Sequence, residues 1–544
     1  MKLVKSLLLG SAAGLCAVAG AQAADLPMRK AAPVEYVRVC TAHGAGFFYI
    51  PGTDTCLRIG GRARAEYHFS SQNSRSTSYS GYNGLARVSF DARTSTAYGT
   101  LRTFVRLDFA HRTGVPQLKS GSAERQANAF FSNSPDGYNQ IQKFVNVDSA
   151  FVQFAGFTAG RANSFFDFYT GQTEMISGGM YSTNGSAINL FAYTATFGGG
   201  FSATISAEDP TNRRMPVFYQ GVVGAANGAA GAGVPPASQQ GGVNFITSAT
   251  PVAFLGTSFT AGGVPVTAVS VDTTQRFFMP DFVGALRYDG AWGSAQLSAA
   301  VHEIKIGGLN PAAGPNFLVG AGVGGPVAAP RIPDAAYGWA VQGGVKVNLP
   351  MIAPGDQLWL QGAYAQGAGA YTGVTGPGGW DLQGASLANK FTYNQNDAVI
   401  DGRGGIHLTE FFSVSGALLH YWSPEWRSAV FGSYGQTNYD PRLRNANFGP
   451  AGITSTVTPG VGGAPATAVT TATVAATNST LMSWDIMYAG GNLIWSPVRD
   501  LDIGVEVIYQ RVNMARPVAN REKPGTLTTF DDQIFARFRV QRDF

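Results

Sequence analysis

Seven arginines, Arg58, Arg62, Arg64, Arg87, Arg93, Arg102 and Arg106, fall in three short stretches between residues 57 and 109, separated within each stretch by even numbers of residues. A guanidinium keeps its proton under ordinary conditions, so a row of them does no acid–base chemistry; it sets up a field and needs water or carboxylates around it. Further along, Ser164 to Gly185 carries Asp167 and Glu174 among Phe165, Phe166, Phe168 and Tyr169. Folded against the arginine surface, that segment would set two carboxylates across a gap from the guanidiniums, a transverse field that favours hydrated polar solutes. The alternative is that these are ordinary loop acids and that the arginines pair with lipopolysaccharide or with one another.

Other chemistries find less support. His43, His68, His111, His302, His407 and His420 are scattered, with no H-E-x-x-H and no His/Cys cluster, so no metal or cofactor is expected. Gly320 to Gly325 matches G-x-G-x-x-G but sits in low-complexity sequence without a strand before it or a helix after it. No Ser/His pair is singled out, and the chain does not read as an enzyme.

The arginines sit on two-residue alternation. Leu57, Ile59, Gly61, Ala63, Ala65, Tyr67 and Phe69 share one face; Arg58, Gly60, Arg62, Arg64, Glu66 and His68 share the other. Ala86, Val88, Phe90 and Ala92 oppose Arg87, Ser89, Asp91 and Arg93, and Leu101, Val105, Leu107 and Phe109 oppose Arg102, Arg106 and Asp108. The chain closes the same way, with Ile534, Ala536, Phe538, Val540 and the terminal Phe544 against Gln533, Arg537, Arg539, Gln541 and Asp543, and with Arg542 misplaced. Strands greasy on one side and charged on the other predict a transmembrane β-barrel with a wet interior.

Period-two runs fall at 57–69, 84–94, 99–110, 144–155, 157–163, 186–197, 201–208, 281–288, 293–303, 336–348, 357–366, 398–407, 411–422, 482–495, 500–512 and 530–544, sixteen in all. Tight connections at Thr96-Ala97, Gly156, Gly198 to Gly200, Asp289 to Trp292, Leu349 to Gln357, Leu408 to Glu410 and Ser496 to Asp500 alternate with long ones. Short periplasmic turns and long outer loops are the barrel signature, and an even count returns both ends to the periplasm. The stretches 209–275, 304–335 and 447–480, poor in charge and rich in Gly, Ala, Val, Thr and Pro, belong to outer loops. Tyr67, Phe69, Tyr98, Tyr288, Trp292, Tyr421, Trp422, Trp484, Trp495 and Tyr509 lie near strand ends and are candidates for interfacial girdles. Strand 144–155 is less regular. Val145, Val147, Phe151 and Phe154 leave no clean polar face, the pattern of a wall packed on neighbouring protein or of a poorly registered strand.

Composition agrees with a barrel. The 544 residues include 70 glycines and only 13% charged residues, against roughly 25% charged in an average soluble protein. No 18-residue apolar stretch free of Gly or Pro follows residue 23, which excludes helical spans. Lys2 and Lys5 precede an apolar run from Leu7 to Val18 and the Ala21-Gln22-Ala23 cleavage pattern, so 1–23 reads as a signal peptide. Without those two lysines, 36 basic residues remain against 33 acidic, a net +3 too small to argue for nucleic acid. Cys16 leaves with the signal peptide, and Cys40 and Cys56 form an even pair that reads as a disulfide in an exported chain. The expected organisation is therefore a signal peptide, a periplasmic segment 24–56 holding the cysteine pair, and a barrel domain 57–544.

Five stretches carry a family resemblance: Ala23 to Cys40, Gly46 to Gly61, Gly160 to Phe168, Arg427 to Tyr434 and Asn492 to Gly504. On these residues the chain resembles the general porins of alphaproteobacteria, the Rhizobium and Brucella type. The resemblance implies a sixteen-stranded barrel in the outer membrane, in contact with its lipid and lipopolysaccharide. It implies a homotrimer, passive diffusion of small hydrophilic molecules and ions, and a constriction loop beginning near Ser164 that carries Asp167 and Glu174. It also implies that Phe544 is the signal read by the outer-membrane assembly machinery. The loops 209–280 and 423–481 depart from it, being longer and richer in Ala, Gly and Val. Two other readings compete with the general pore: a solute-specific channel whose long loops bind a ligand, and a surface barrel for adhesion or phage docking.

Overall fold

The computed structural model describes residues 38–71, 79–114, 141–175, 179–183, 187–215, 217–219, 252–259, 265–276, 278–309, 334–374, 390–391, 395–400, 405–444, 452–458, 467–473, 482–520, 523 and 525–544. The expected signal peptide lies outside them. Two compact units divide at Arg58/Ile59.

In the N-terminal unit, Phe48–Tyr49 pairs antiparallel with Leu57 and Cys56. The Cys40–Cys56 disulfide closes this turn, packed with Phe47 and Tyr49. Arg38 stacks over Tyr49 and Arg58 over Phe47, at 4.7 and 5.4 Å. Arg58, expected on the charged wall, therefore belongs to this small unit and has an aromatic partner there.

The second unit is a closed antiparallel barrel of sixteen strands. They are β1 (Cys56–Ser70, from Ile59 onward in this unit), β2 (Ser80–Thr96), β3 (Gly99–Gly114), β4 (Ile141–Phe154), β5 (Phe157–Ala162), β6 (Ile188–Gly198), β7 (Phe201–Glu208) and β8 (Asp281–Gly290). β9 (Gly293–Ile304), β10 (Ala336–Asn348), β11 (Gln357–Gln366), β12 (Glu410–Tyr421), β13 (Trp426–Asn438), β14 (Trp484–Val498), β15 (Leu501–Ala519) and β16 (Leu527–Asp543) complete it. β16 pairs with β1 from Arg62↔Asp543 to Ser70↔Phe535, so no edge is left unpaired. One end carries only short turns, among them Ala155-Gly156, where both residues have positive φ, as a two-residue hairpin requires. The other end carries the long loops.

Two strand assignments change. Residues 398–407 are not a wall strand: Ala398–Ile400 is buried throughout, pairs parallel with Val217–Tyr219 and antiparallel with Ile406–Leu408, and forms a small loop sheet. The wall strand in its place is Trp426–Asn438, within the stretch 423–481 expected to be a loop; the tight turn beside it is Trp422 to Glu425 rather than Leu408 to Glu410. Its alternation was hidden because its inward positions Ala429, Phe431 and Gly435 face packed protein instead of water. Loop 209–280 also carries strands of its own, Val252–Phe259 and Pro265–Gln275, which join Ile306–Leu309 in a three-stranded sheet, and Gly452–Thr458 pairs with Thr467–Thr473.

On β4 the register slips between Arg106↔Ser149 and Leu107↔Val147, leaving Asp148 as an extra residue. A bulge reverses the alternation, which accounts for the missing polar face: Val145, Val147 and Val152 point outward while Phe151 turns in towards Phe104 at 5.3 Å. Aromatic pairs mark the short-turn rim, with Phe157–Tyr193 at 4.8 Å, Tyr288–Trp292 and Trp426–Trp495 both at 5.9 Å. Trp484, a girdle candidate from sequence, is instead buried in the interior.

The seam depends on one close approach. Phe544 exchanges backbone hydrogen bonds with Gly61, donating at 3.0 Å and accepting at 2.9 Å. A Cβ on Gly61 would stand 2.3 Å from the Phe544 ring and 2.7 Å from the Arg87 carbonyl. Gly61→Val should therefore open the β1–β16 seam at its periplasmic end, lowering the temperature at which the barrel loses its compact, fast-migrating form on semi-native gels; unchanged heat modifiability would remove this contact from the closure.

Candidate functional site

The inner face of the barrel is divided in two by Asn163–Ala187, the loop between β5 and β6. A backbone crossing the interior must find partners for its N–H and C=O groups, and wall side chains supply them. The loop is pinned at its start by Glu208, which accepts from Ser164 Oγ at 2.7 Å and from the Phe165 amide at 3.2 Å. Gln296 Nε2 lies 3.1, 3.3 and 3.1 Å from the carbonyls of Phe165, Phe166 and Asp167, and Gln342 donates to Phe166 O at 2.9 Å. The Tyr169 amide donates to Gln361 Oε1, the Met175 amide to Glu506 Oε2 and the Met180 amide to Ser433 Oγ, at 2.8, 2.7 and 3.1 Å. Asn492 donates to Thr173 O at 2.8 Å. Arg537, at 3.1 Å, and Arg539 both donate to the Met175 carbonyl. The loop thus leaves the wall at β5 and runs along the inside of β7 to β15 as far as β16.

Glycines make the approach possible. A Cβ on Gly344 would meet the Phe168 ring at 2.3 Å, and one on Gly504 would meet Met175 Cε at 2.2 Å. Phe166, Tyr169, Met180 and Tyr181 merge with Trp484, Phe431 and Tyr488 into one apolar cluster, so this half of the barrel is filled with protein. The loop after β11 adds a second layer: Tyr371 packs edge-on against Phe166 at 4.8 Å, and Gly373 lies against the backbone of Met180 and Tyr181. Arg213, buried, ties this layer to the wall by donating to Glu208 and to the Tyr371 hydroxyl at 2.5 and 2.8 Å.

The arginines stand on β1 to β3, outside the stretch of wall whose side chains hold the loop. Arg87 chelates Asp108 at 2.6 and 2.7 Å and lies 3.7 Å from Asp148, which also accepts from Arg106. Arg93 and Arg102 both grip Asp91 through two nitrogens, at 2.8 to 3.0 Å. Arg62 holds Asp543 at 2.6 Å, and Arg64 donates to Gln541 at 2.9 Å, 3.7 Å from Glu66. Glu66 also accepts from Arg537 and Arg539, at 3.2 and 2.6 Å. Among the described residues, the wall arginines therefore find carboxylates within the wall itself.

Asp167 and Glu174 lie on the loop as the sequence reading placed them, but their hydrogen bonds do not go to the arginine wall. Asp167 accepts from the Thr183 amide at 2.9 Å and from its hydroxyl at 2.7 Å, within the loop. Burial pushes its carboxyl up to about 6, against the pull of nearby Arg213 and the Thr183 hydrogen bonds. Glu174 accepts from the hydroxyls of Tyr169 at 3.0 Å, Tyr488 at 3.1 Å, and Tyr181. Burial holds it well above the usual carboxylate range, although the tyrosine hydrogen bonds oppose this. No sequence signal marks Tyr488, 314 residues from Glu174, as part of this tyrosine cage, or joins the glutamine anchors, which stand on three different strands.

The sign of the Asp167 shift gives a pH dependence. A carboxyl raised in the folded state adds stability below its ordinary value, near 4, and loses it as pH rises through about 6. Asp167→Asn, which keeps the Oδ1 acceptor, should match the wild type in thermal unfolding below about pH 4 and exceed it increasingly from there to pH 8. Parallel curves across that range would show that Asp167 is not buried as described.

A family model described as "Porin subfamily" matches residues 25–536. Porin Omp2b of Brucella suis is 31% identical over 434 residues, 74% of this chain and 98% of that protein, and Porin Omp2a of Brucella ovis is 31% identical over 54% of this chain and 68% of its own length. Among solved structures, the outer membrane channel DcaP of Acinetobacter baumannii superposes with a TM-score of 0.49 at 13% identity, covering 91% of this chain and 99% of that one.

Proposed function

Because this chain belongs to the porin subfamily, we infer that it forms a passive, water-filled diffusion pore for small hydrophilic solutes and ions in the outer membrane. The observation that carries this reading is the asymmetric interior: one half filled by an inward loop, the other lined by partly exposed guanidiniums along neighbouring strands. Such a passage selects by size and polarity and does no chemistry on what crosses it. The loop Asn163–Ala187 is the narrowing, with Asp167 and Glu174 as residues that shape it; the arginines of β1 to β3 are the opposite bank, extended by Arg537 and Arg539. Liposomes containing the purified protein should swell in small sugars at rates that fall steeply with sugar size. Protein-loaded liposomes that swell no faster than empty ones would leave only a surface-docking role.

A homotrimer is part of this proposal. The outward faces of β16 and β1 to β4 form a recess where Ala63, Ala65, Gly84 and Ala86 lie between Phe109, Val145 and Val540. Small residues on a lipid-facing wall allow a second protein surface to approach closely. Ala86→Trp should fill the recess and shift the assembly from trimer to monomer on semi-native gels without unfolding the barrel; intact trimers would move the interface elsewhere. The signal peptide at 1–23 is proposed on its charge and cleavage pattern, and on a family match that starts at residue 25. Phe544 is proposed as the assembly signal: it sits exposed at the periplasmic end of the last strand, where machinery can reach it.

A further inference from the structure

The wall carries more positive charge than its local pairing suggests. Six arginines, Arg62, Arg64, Arg87, Arg93, Arg102 and Arg106, keep 17–29% of their side-chain surface open, whereas Asp91 and Asp108, which hold three of them, are only 3% and 9% open. The carboxylates therefore lie behind the guanidiniums and fix their geometry. Asp148 and Asp543 are more open, at 22% and 43%, and each is already gripped by an arginine. Five of these guanidiniums thus share the four aspartates, while Arg64 shares Glu66, 1% open, with Arg537 and Arg539.

The facing bank does not restore the balance. Glu174 is enclosed by three tyrosine hydroxyls, and Asp167 is turned towards Thr183. Among the described residues of the loop, the exposed ones are Asn163 and Gln172, which are neutral. Arg102 and Arg106 stand four residues apart on one strand, roughly 13 Å along it, so the excess charge forms a ladder and not a single point.

Resting on the diffusion-pore reading, the geometry points to a binding track for small multivalent anions, oligophosphates or polycarboxylates, along the arginines of β1 to β3. Such an anion spans two rungs and exchanges water for guanidinium donors that are held in place before it arrives. Monovalent anions pass with a preference over cations; multivalent ones dwell.

Two arginines can be removed without orphaning an acid. Without Arg64, Glu66 keeps Arg537 and Arg539, and without Arg102, Asp91 keeps Arg93. The experiment uses the full-length protein in planar bilayers. In a potassium chloride gradient the reversal potential should show chloride about twofold or more as permeant as potassium, and millimolar tripolyphosphate should block the conductance saturably. The double variant R64Q/R102Q should bring the permeability ratio close to one and raise the half-blocking concentration roughly tenfold, and R64K/R102K should restore the chloride preference. A potassium preference in the wild type, or a conductance indifferent to tripolyphosphate, overturns the anion track while sugar-driven liposome swelling leaves the pore standing. Absence of both swelling and conductance overturns the pore and the track together.

Discussion

The interior of this barrel is organised by one constraint: a loop backbone can cross a lumen only where its amides and carbonyls find partners. Gln296, Gln342 and Gln361 on three successive strands, with Ser433, Asn492 and Glu506 beyond them, meet that demand for the segment from Phe165 to Met180. An unpaired buried backbone group costs roughly 1–3 kcal/mol, so losing several anchors at once would free the loop. The wall polar groups on β9 to β15 are thereby committed to protein, and water is left with the arginine side. The position of the passage follows from where the loop's hydrogen-bond partners lie.

The same constraint decides what can be read from the sequence. Strands β1, β2 and β3 were legible because each separates lipid from water, and two solvents of opposite character write a clean alternation. β13 separates lipid from packed loop, so Ala429, Phe431 and Gly435 face inward and interrupt the polar face that marks a barrel strand. Ala398–Ile400 misled for the complementary reason: these residues are apolar because a loop sheet buries them, not because they meet lipid. One false strand and one missed strand compensate, which is why the count of sixteen survives while the turn at Trp422 to Glu425 was placed elsewhere.

Site residues were legible by type and not by partner. That the arginines share a face follows from their even spacing; that Asp91 serves both Arg93 and Arg102 requires the register of β2 against β3. Asp167 and Glu174 lie on the loop that follows β5, where Thr183, Tyr169 and Tyr181 are near neighbours in sequence, yet the contact of Glu174 with Tyr488 is a tertiary fact without a local signature. Arg58 shows the limit from the other side: its spacing matches Arg62 and Arg64, but the tight N-terminal turn captures it on Phe47.

Pairing within the wall couples fold and passage. A carboxylate bound by two guanidiniums on neighbouring strands stitches those strands together inside the barrel, and here the arginines outnumber the acids that do so. Shielding by burial then makes the smaller set of charges face the wall and the larger set face the water. A wall built from equal numbers of Arg and Asp in one-to-one contact would keep the cross-strand attachment with little net field, whereas sharing gives both from the same residues. Replacing Asp91 should consequently disturb the structure more than replacing either of its arginines, since it leaves two guanidiniums adjacent without the charge that holds them, while loss of one arginine leaves Asp91 still chelated. The field along the passage is thus a by-product of the way the first strands are tied to one another, and any change in selectivity that removes acids instead of arginines works against the fold.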